Sequence, residues 1–273
     1  MTYLVTGATG TVGRHLVDQL LAAGHQVRAL TRDPARADLP DKVEVVAGDL
    51  GDPETVAPAL VGVTGVHLIT FGDNAYTPLT TGPDLVALAA AAGVRRVTVL
   101  QSGYPGPVEE ALAASDLHWT RLQPVEFMAN IRDWTESVRA EGVVREPFAH
   151  TRSALVHEAD IAAVAAVALT EDGHAGRTLA ITGPEALTRP EKVRLLAEAV
   201  GRPIEYIELS EAVARRRWAE EGHSQETIEF FVEVHGNAPE ISYTVLPTVE
   251  ELTGRPPRTF AQWAREHAHL FRD

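Results

Sequence analysis

Tyr3-Leu4-Val5-Thr6-Gly7-Ala8-Thr9-Gly10-Thr11-Val12-Gly13-Arg14 decides the fold. Residues 3–6 read as a short buried strand. Gly7, Gly10 and Gly13 then recur at every third position, and Val12, Leu16 and Leu20 form one stripe of a helix, with Val17 and Leu21 beside it. A strand, a glycine-rich turn and a helix in this order place an anion such as a pyrophosphate at a helix N-terminus, where free N–H groups and the helix dipole favour it. Gly7 allows the tight turn, Gly10 lets the backbone approach the phosphates, and Gly13 lets the helix pack close to the strand.

Working outward, strands and helices alternate. Strands are expected over 25–31, 43–47, 65–70, 96–100 and 118–122. Helices are expected after Asp52-Pro53-Glu54, over 84–92 and over 108–114. Six strands alternating with helices make an α/β fold, a Rossmann-like doubly wound parallel sheet. In such a sheet the residue just past the second strand meets the adenosine ribose. Arg32 stands there and suits a 2′-phosphate, which favours NADPH over NADH. Asp33, one residue on, would weaken that preference if it faced the ribose. Asp49 is placed to accept from an adenine amino group, with Leu50 on the ring; the competing reading is a turn aspartate. Thr70, Phe71 and Gly72 end the fourth strand at the crevice where ligands bind.

Beyond residue 124 the pattern is mixed. Helices are expected over 127–140, 159–169 and 259–271, and two more within 210–236. Strands are expected over 177–182 and 204–209. Thr188-Arg189-Pro190-Glu191 reads as a capping box that opens a helix ending at Val200. The expected organisation is an NADP(H)-binding domain over 1–183, with 126–150 contributing to the substrate pocket, and a smaller substrate-binding region over 184–273.

Composition narrows the partners. The 273 residues carry a formal net charge of −14, which disfavours nucleic acid and anionic membranes. There are no cysteines, which excludes disulfides and thiolate chemistry. No signal peptide and no stretch near the ~20 apolar residues of a membrane span are visible, so a cytoplasmic monomer or homodimer is expected. No metal is expected. His267 and His269 lack helical ligand spacing, and Ser102 lacks a GxSxG elbow.

TGATGTVG at the N-terminus resembles the NmrA-like atypical short-chain dehydrogenase/reductases. TRDP after strand two, GDL after strand three and EEALAASDLHWTRLQPVEFMAN over 109–130 fit that group as well. So do the stretches 158–164, 179–185 and 251–260, in the same order along the chain. The resemblance implies bound NADPH/NADP and an oxidoreductase. It implies that Gly7, Thr9, Gly10, Thr11, Val12 and Gly13 hold the pyrophosphate and Arg32 the 2′-phosphate. Asp49 and Leu50 would hold the adenine, Thr70, Phe71 and Gly72 would line the ribose side, and Pro124 and Phe127 would flank the nicotinamide.

One departure matters for the chemistry. Standard short-chain dehydrogenases use a Tyr-x-x-x-Lys pair as proton donor. None of the five tyrosines here has lysine four residues on; Tyr104 is followed at that spacing by Val108. The only lysines, Lys42 and Lys192, are expected far from the nicotinamide. A substrate that stabilises its own developing oxyanion would relieve this loss. The expected substrate is therefore a ketone or quinone carbonyl of a polycyclic aromatic, polyketide-like molecule. Alternatives are a reductase serving an oxygen-dependent quinone hydroxylation and a non-enzymatic NADP(H) sensor. Ser102 and Tyr104 are the catalytic candidates. Gln101, Phe127, Met128, Trp134, Phe148 and His150 are the candidate substrate-pocket residues; His150 has a surface role as its competing reading.

Overall fold

The computed structural model describes residues 1–72, 77–101 and 105–272. Six strands come first: β1 (Thr2–Thr6), β2 (Gln26–Thr31), β3 (Glu44–Ala47), β4 (Gly65–Ile69), β5 (Arg96–Leu100) and β6 (His118–Pro124). Helices α1 (Gly13–Ala22), α2 (Pro53–Val56), α3 (Gly82–Ala91) and α4 (Pro107–Ala113) lie among them. Next come α5 (Thr135–Glu141), β7 (Val143–Pro147), β8 (Arg152–Ser153), α6 (Glu158–Thr170) and β9 (Arg177–Ile181). The chain closes with β10 (Leu187–Thr188), α7 (Arg189–Val200), β11 (Glu205–Leu209), α8 (Glu211–Glu220), α9 (Gln225–Gly236), α10 (Thr248–Thr253) and α11 (Phe260–His267).

Seven strands make one parallel sheet in the order β3-β2-β1-β4-β5-β6-β9. This is the expected Rossmann-like arrangement. Tyr3, Leu4 and Val5 are fully buried, as an apolar strand with a neighbour on each side requires. Leu4, Leu30, Val66, Leu68, Val97 and Val99 pack with Leu85, Val86, Val108 and Leu112 in one core. α1 packs against α6, where the Gln19 side-chain amide donates to the Ala159 carbonyl at 2.9 Å.

The strand order reverses between β1 and β4, the place where doubly wound sheets bind ligands. Thr6 shapes that point. Its hydroxyl donates to the His67 carbonyl at 2.9 Å and accepts from the Ile69 N–H at 3.0 Å. Side-chain bonds here stand beside the ladder that pairs Tyr3, Leu4 and Val5 with Gly65, Val66 and His67.

The chain forms two compact units that interleave in sequence. The first is Met1–Pro124, Glu158–Ile181 and Glu251–Gly254; the second is Val125–His157, Thr182–Glu250 and the residues from Arg255 on. The sequence placed a single boundary at residue 183. Residues 125–157 instead pack with the second unit, because Met128, Ile131, Trp134 and Val138 share a core with Leu196, Phe260, Trp263 and Phe271. The helix expected over 127–140 is a 3-10 segment, Met128–Trp134, followed by α5. β7, not expected from the sequence, pairs in parallel with β11. The capping box at Thr188 forms as expected, with the Thr188 side chain accepting from the Glu191 N–H.

His67 sits in the middle of the sheet, 1% exposed, with its Nδ1 2.9 Å from the Thr98 hydroxyl. Burial holds its pKa down at about 4 against an ordinary 6.5. The folded state therefore keeps His67 neutral, while below about pH 6.5 the unfolded chain takes up the proton. Its contribution to stability is fully present above pH 6.5 and lost as pH falls toward 4. The expected loss is about 2 kcal/mol by pH 5. Urea unfolding from pH 7 to 5 measures it: His67→Asn should flatten the fall by that amount, and parallel curves for the two proteins would refute the assignment.

Candidate functional site

The first unit carries a cleft of about 360 Å³ at the ends of β1, β2 and β4. Its lining includes Thr6, Gly7 and Thr9 from the first turn, Thr31 to Asp33 and Arg36 past β2, Gly48 to Leu50 past β3, and Ile69 and Gly72 past β4. The glycine turn is built by sterics. Gly7 has φ +60°, a left-handed conformation that favours glycine. A Cβ on Gly13 would lie 2.1 Å from the Gly7 carbonyl oxygen, so only glycine lets α1 approach β1 this closely. The Gly10 N–H donates to the same carbonyl at 2.9 Å. Thr9, Gly10 and Thr11 are exposed, and Val12 precedes a helix whose N-terminus has no side-chain cap. An uncapped helix end with exposed backbone before it is suited to an anion.

Two guanidinium groups line the other end. Arg32 donates from Nη1 to the Gly72 carbonyl at 3.0 Å, which ties the loop after β2 to the loop after β4. Arg36 joins it in the lining and was missed from sequence. Its signal lay in Asp33-Pro34, since Asp33 caps a 3-10 turn over Pro34–Arg36. That role occupies Asp33: one carboxylate oxygen accepts from the Ala35 N–H at 3.2 Å. Asp49 makes the turn weighed for it and also lines the cleft. One oxygen closes a turn on the Gly51 N–H at 2.8 Å, while the residue lines the cleft beside Leu50.

The expected cofactor set is thus gathered in part. Gly7, Thr9, Arg32, Asp49, Leu50 and Gly72 share the cleft. Gly10, Thr11, Val12 and Gly13 continue the same turn. Thr70 is buried, its carbonyl accepting from Leu79, and Phe71 pairs with Pro78. Pro124 ends β6. Ser102 and Tyr104, the catalytic candidates, lie outside the described residues. Gln101 is 7% exposed at the end of β5.

In the second unit the expected pocket is largely dispersed. Met128, at 0% exposure, and Trp134 are core residues rather than pocket lining. Their spacing fits a buried face, and the core around Trp263 takes them. Phe148 adopts φ +58° and packs against Gly236 beside a small core of Ala214, Trp218 and Ile228. His150 is exposed. Phe127 is half-buried, with its backbone bridged to Val156.

Lys192 is buried in the second unit, where its Nζ donates to Glu126 Oε2 at 3.0 Å and to Ser153 Oγ at 2.7 Å. Burial works against the Glu126 carboxylate, yet the Lys192 ammonium and the Ser153 hydroxyl hold its pKa down at about 2. Burial lowers the Lys192 pKa, and Glu126 opposes that shift. His235 is kept neutral, near 4, by burial and by Arg189.

A family model described as NAD(P)H-binding matches residues 7–108. Over 98% of both chains, the protein is 38% identical to a (4-alkanoyl-5-oxo-2,5-dihydrofuran-3-yl)methyl phosphate reductase of Streptomyces griseus. Over 98% of both, it is 34% identical to an NAD(P)H azoreductase of Xenophilus azovorans. The chain belongs to the NmrA-like atypical short-chain dehydrogenase/reductases. It is an NADPH-dependent reductase of that type. An NADPH-dependent quinone oxidoreductase of Escherichia coli, solved with NADPH, shares the fold at a TM-score of 0.81 and 24% identity, over 98% of this chain and 99% of that one. Among the described residues no helix is long and apolar enough to cross a membrane.

The residues present fit a phosphorylated dinucleotide: a cradle closed to any Cβ at Gly13, an uncapped helix end, and two guanidinium groups in the cleft. Gly13→Ala tests the cradle. Overpacking on this scale costs about 1–3 kcal/mol, and opening the turn should weaken NADPH binding. Calorimetry and a fluorescence titration should show both losses; wild-type values would mean that α1 does not seat on Gly7 this closely.

Proposed function

We propose that this reductase transfers a hydride from NADPH to a ketone or quinone carbonyl of a flat, conjugated, polyketide-like substrate. The observation that carries the reading is the missing Tyr-x-x-x-Lys pair. Of the two lysines, Lys42 is exposed and Lys192 is committed to Glu126 and Ser153. A protein proton donor typically adds ~10²–10⁴-fold, whereas positioning alone supplies roughly 7–11 kcal/mol. A conjugated acceptor that delocalises its own charge makes positioning sufficient. The names of the relatives support this: an alkanoyl-oxo-dihydrofuran, an azo compound and, in the solved structure, a quinone.

Bound NADPH supplies the hydride. The backbone from Gly7 to Gly13, with Thr9 and Thr11, holds the pyrophosphate. Arg32 and Arg36 pair with the 2′-phosphate, and Asp49 and Leu50 take the adenine. Thr70, Phe71 and Gly72 line the ribose side. Pro124 flanks the nicotinamide, and Gln101 is the pocket candidate at the end of β5.

Two measurements test the reading. Charge-assisted hydrogen bonds are worth ~1.5–3 kcal/mol, so Arg32→Ala with Arg36→Ala should raise KM for NADPH about tenfold to a hundredfold and leave KM for NADH little changed. Equal losses for both cofactors would remove the 2′-phosphate assignment. NADPH oxidation should proceed with naphthoquinones and polycyclic ketones and be absent with aliphatic ketones. Turnover confined to aliphatic carbonyls would sink the substrate class. NADPH binding without any turnover would favour a sensor, and oxygen uptake coupled to NADPH loss would favour the hydroxylation route.

A further inference from the structure

The two guanidinium groups in the cleft of the first unit are held in different ways. Arg32 is tied by its Nη1 to the Gly72 carbonyl. The Arg36 side chain is exposed and makes no hydrogen bond or ion pair among the described residues. Its place in the lining is therefore set by its backbone. That backbone is one 3-10 turn, Pro34–Arg36. In it the Arg36 N–H donates to the Asp33 carbonyl at 3.3 Å and the Ala37 N–H to the Pro34 carbonyl at 3.2 Å. Proline fixes the backbone at the first position. Asp33 caps the turn, its Oδ1 accepting from the Ala35 N–H at 3.2 Å. Asp33 is itself anchored to the end of β2, its N–H donating to the Thr31 hydroxyl oxygen at 3.3 Å. A turn this short gains nothing from helical propagation, so the side-chain cap has a large share in holding it. Charge alone would set Asp33 against a phosphate in the same cleft; as the cap that presents Arg36 it favours one.

We infer that Asp33 is a positioning residue for Arg36: by capping the turn over Pro34–Arg36 it holds that guanidinium in the cleft, so its side-chain oxygen, not its charge, supports the preference for NADPH over NADH. This rests on the pairing of Arg36 with the 2′-phosphate under the proposed function. All the groups involved belong to the first unit, at the end of β2 and in the loop before β3.

Fluorescence titrations of the full chain with NADPH and with NADH test it without any turnover. The variants are Asp33→Ala, Asp33→Asn, Asp33→Ser, Arg36→Ala and the double variant of Asp33→Ala with Arg36→Ala. Asp33 and Arg36 are exposed, so none of these opens a core. The three Asp33 variants lose the same charge, but asparagine and serine keep a capping oxygen and alanine does not. Kd for NADPH should be about threefold to tenfold higher in Asp33→Ala than in Asp33→Asn or Asp33→Ser, the scale of one lost cap. Kd for NADH should be the same in all three. Arg36→Ala should weaken NADPH alone, and adding Asp33→Ala to it should cost nothing further. Equal NADPH binding in the three Asp33 variants, beside a selective loss in Arg36→Ala, overturns the role of Asp33 and leaves the 2′-phosphate with Arg36. Losses that multiply in the double variant do the same. NADH weakened as much as NADPH in Asp33→Ala also overturns it, since the turn would then shape the cleft for both cofactors alike. No selective loss in Arg36→Ala removes the pairing of Arg36 with the 2′-phosphate and this inference with it.

Discussion

The approach of α1 to the carbonyl of Gly7 is the contact on which the rest depends. With Gly13 in place, the helix starts directly over the end of β1; any side chain there would put a Cβ inside the Gly7 oxygen. That closeness leaves the helix N-terminus bare at the crevice edge. Thr6 then bonds across to His67 and Ile69 where the sheet reverses its order, and the loops after β2, β3 and β4 converge on one cleft. Arg32 and Arg36 bring two guanidinium groups to that cleft, beside Asp33 and Asp49, whose carboxylates accept from the Ala35 and Gly51 N–H groups.

The first unit was legible because its signals are local. Short apolar runs alternate with helical stripes, each closed by glycine or opened by proline, and the six strands fall within a residue or two of where the pattern places them. Arg32, Asp49 and Gly72 followed from their offsets after the strands. Arg36 did not, because its place in the lining depends on the tight turn begun at Asp33 rather than on a strand end.

The second unit was less legible for a different reason. Met128, Ile131 and Trp134 repeat at a spacing that marks a buried face but does not say whether it meets a ligand or Trp263. β7 carries Arg145 and Glu146 in five residues and is a strand only because β11 pairs with it from far along the chain. Lys192 meets Glu126 across 66 positions, and nothing in the sequence near either residue announces the pair. A tie of that kind is invisible to spacing and visible only in the packed chain.

The central claim is that the chain aims a hydride and leaves charge management to the acceptor. Isotope effects on single-turnover reduction of a naphthoquinone test it most directly. The account predicts a primary effect when the transferred hydrogen of NADPH is deuterium, and none when the solvent is D₂O. A solvent effect comparable to the primary one would contradict it, since a protein group would then be moving a proton in the same step.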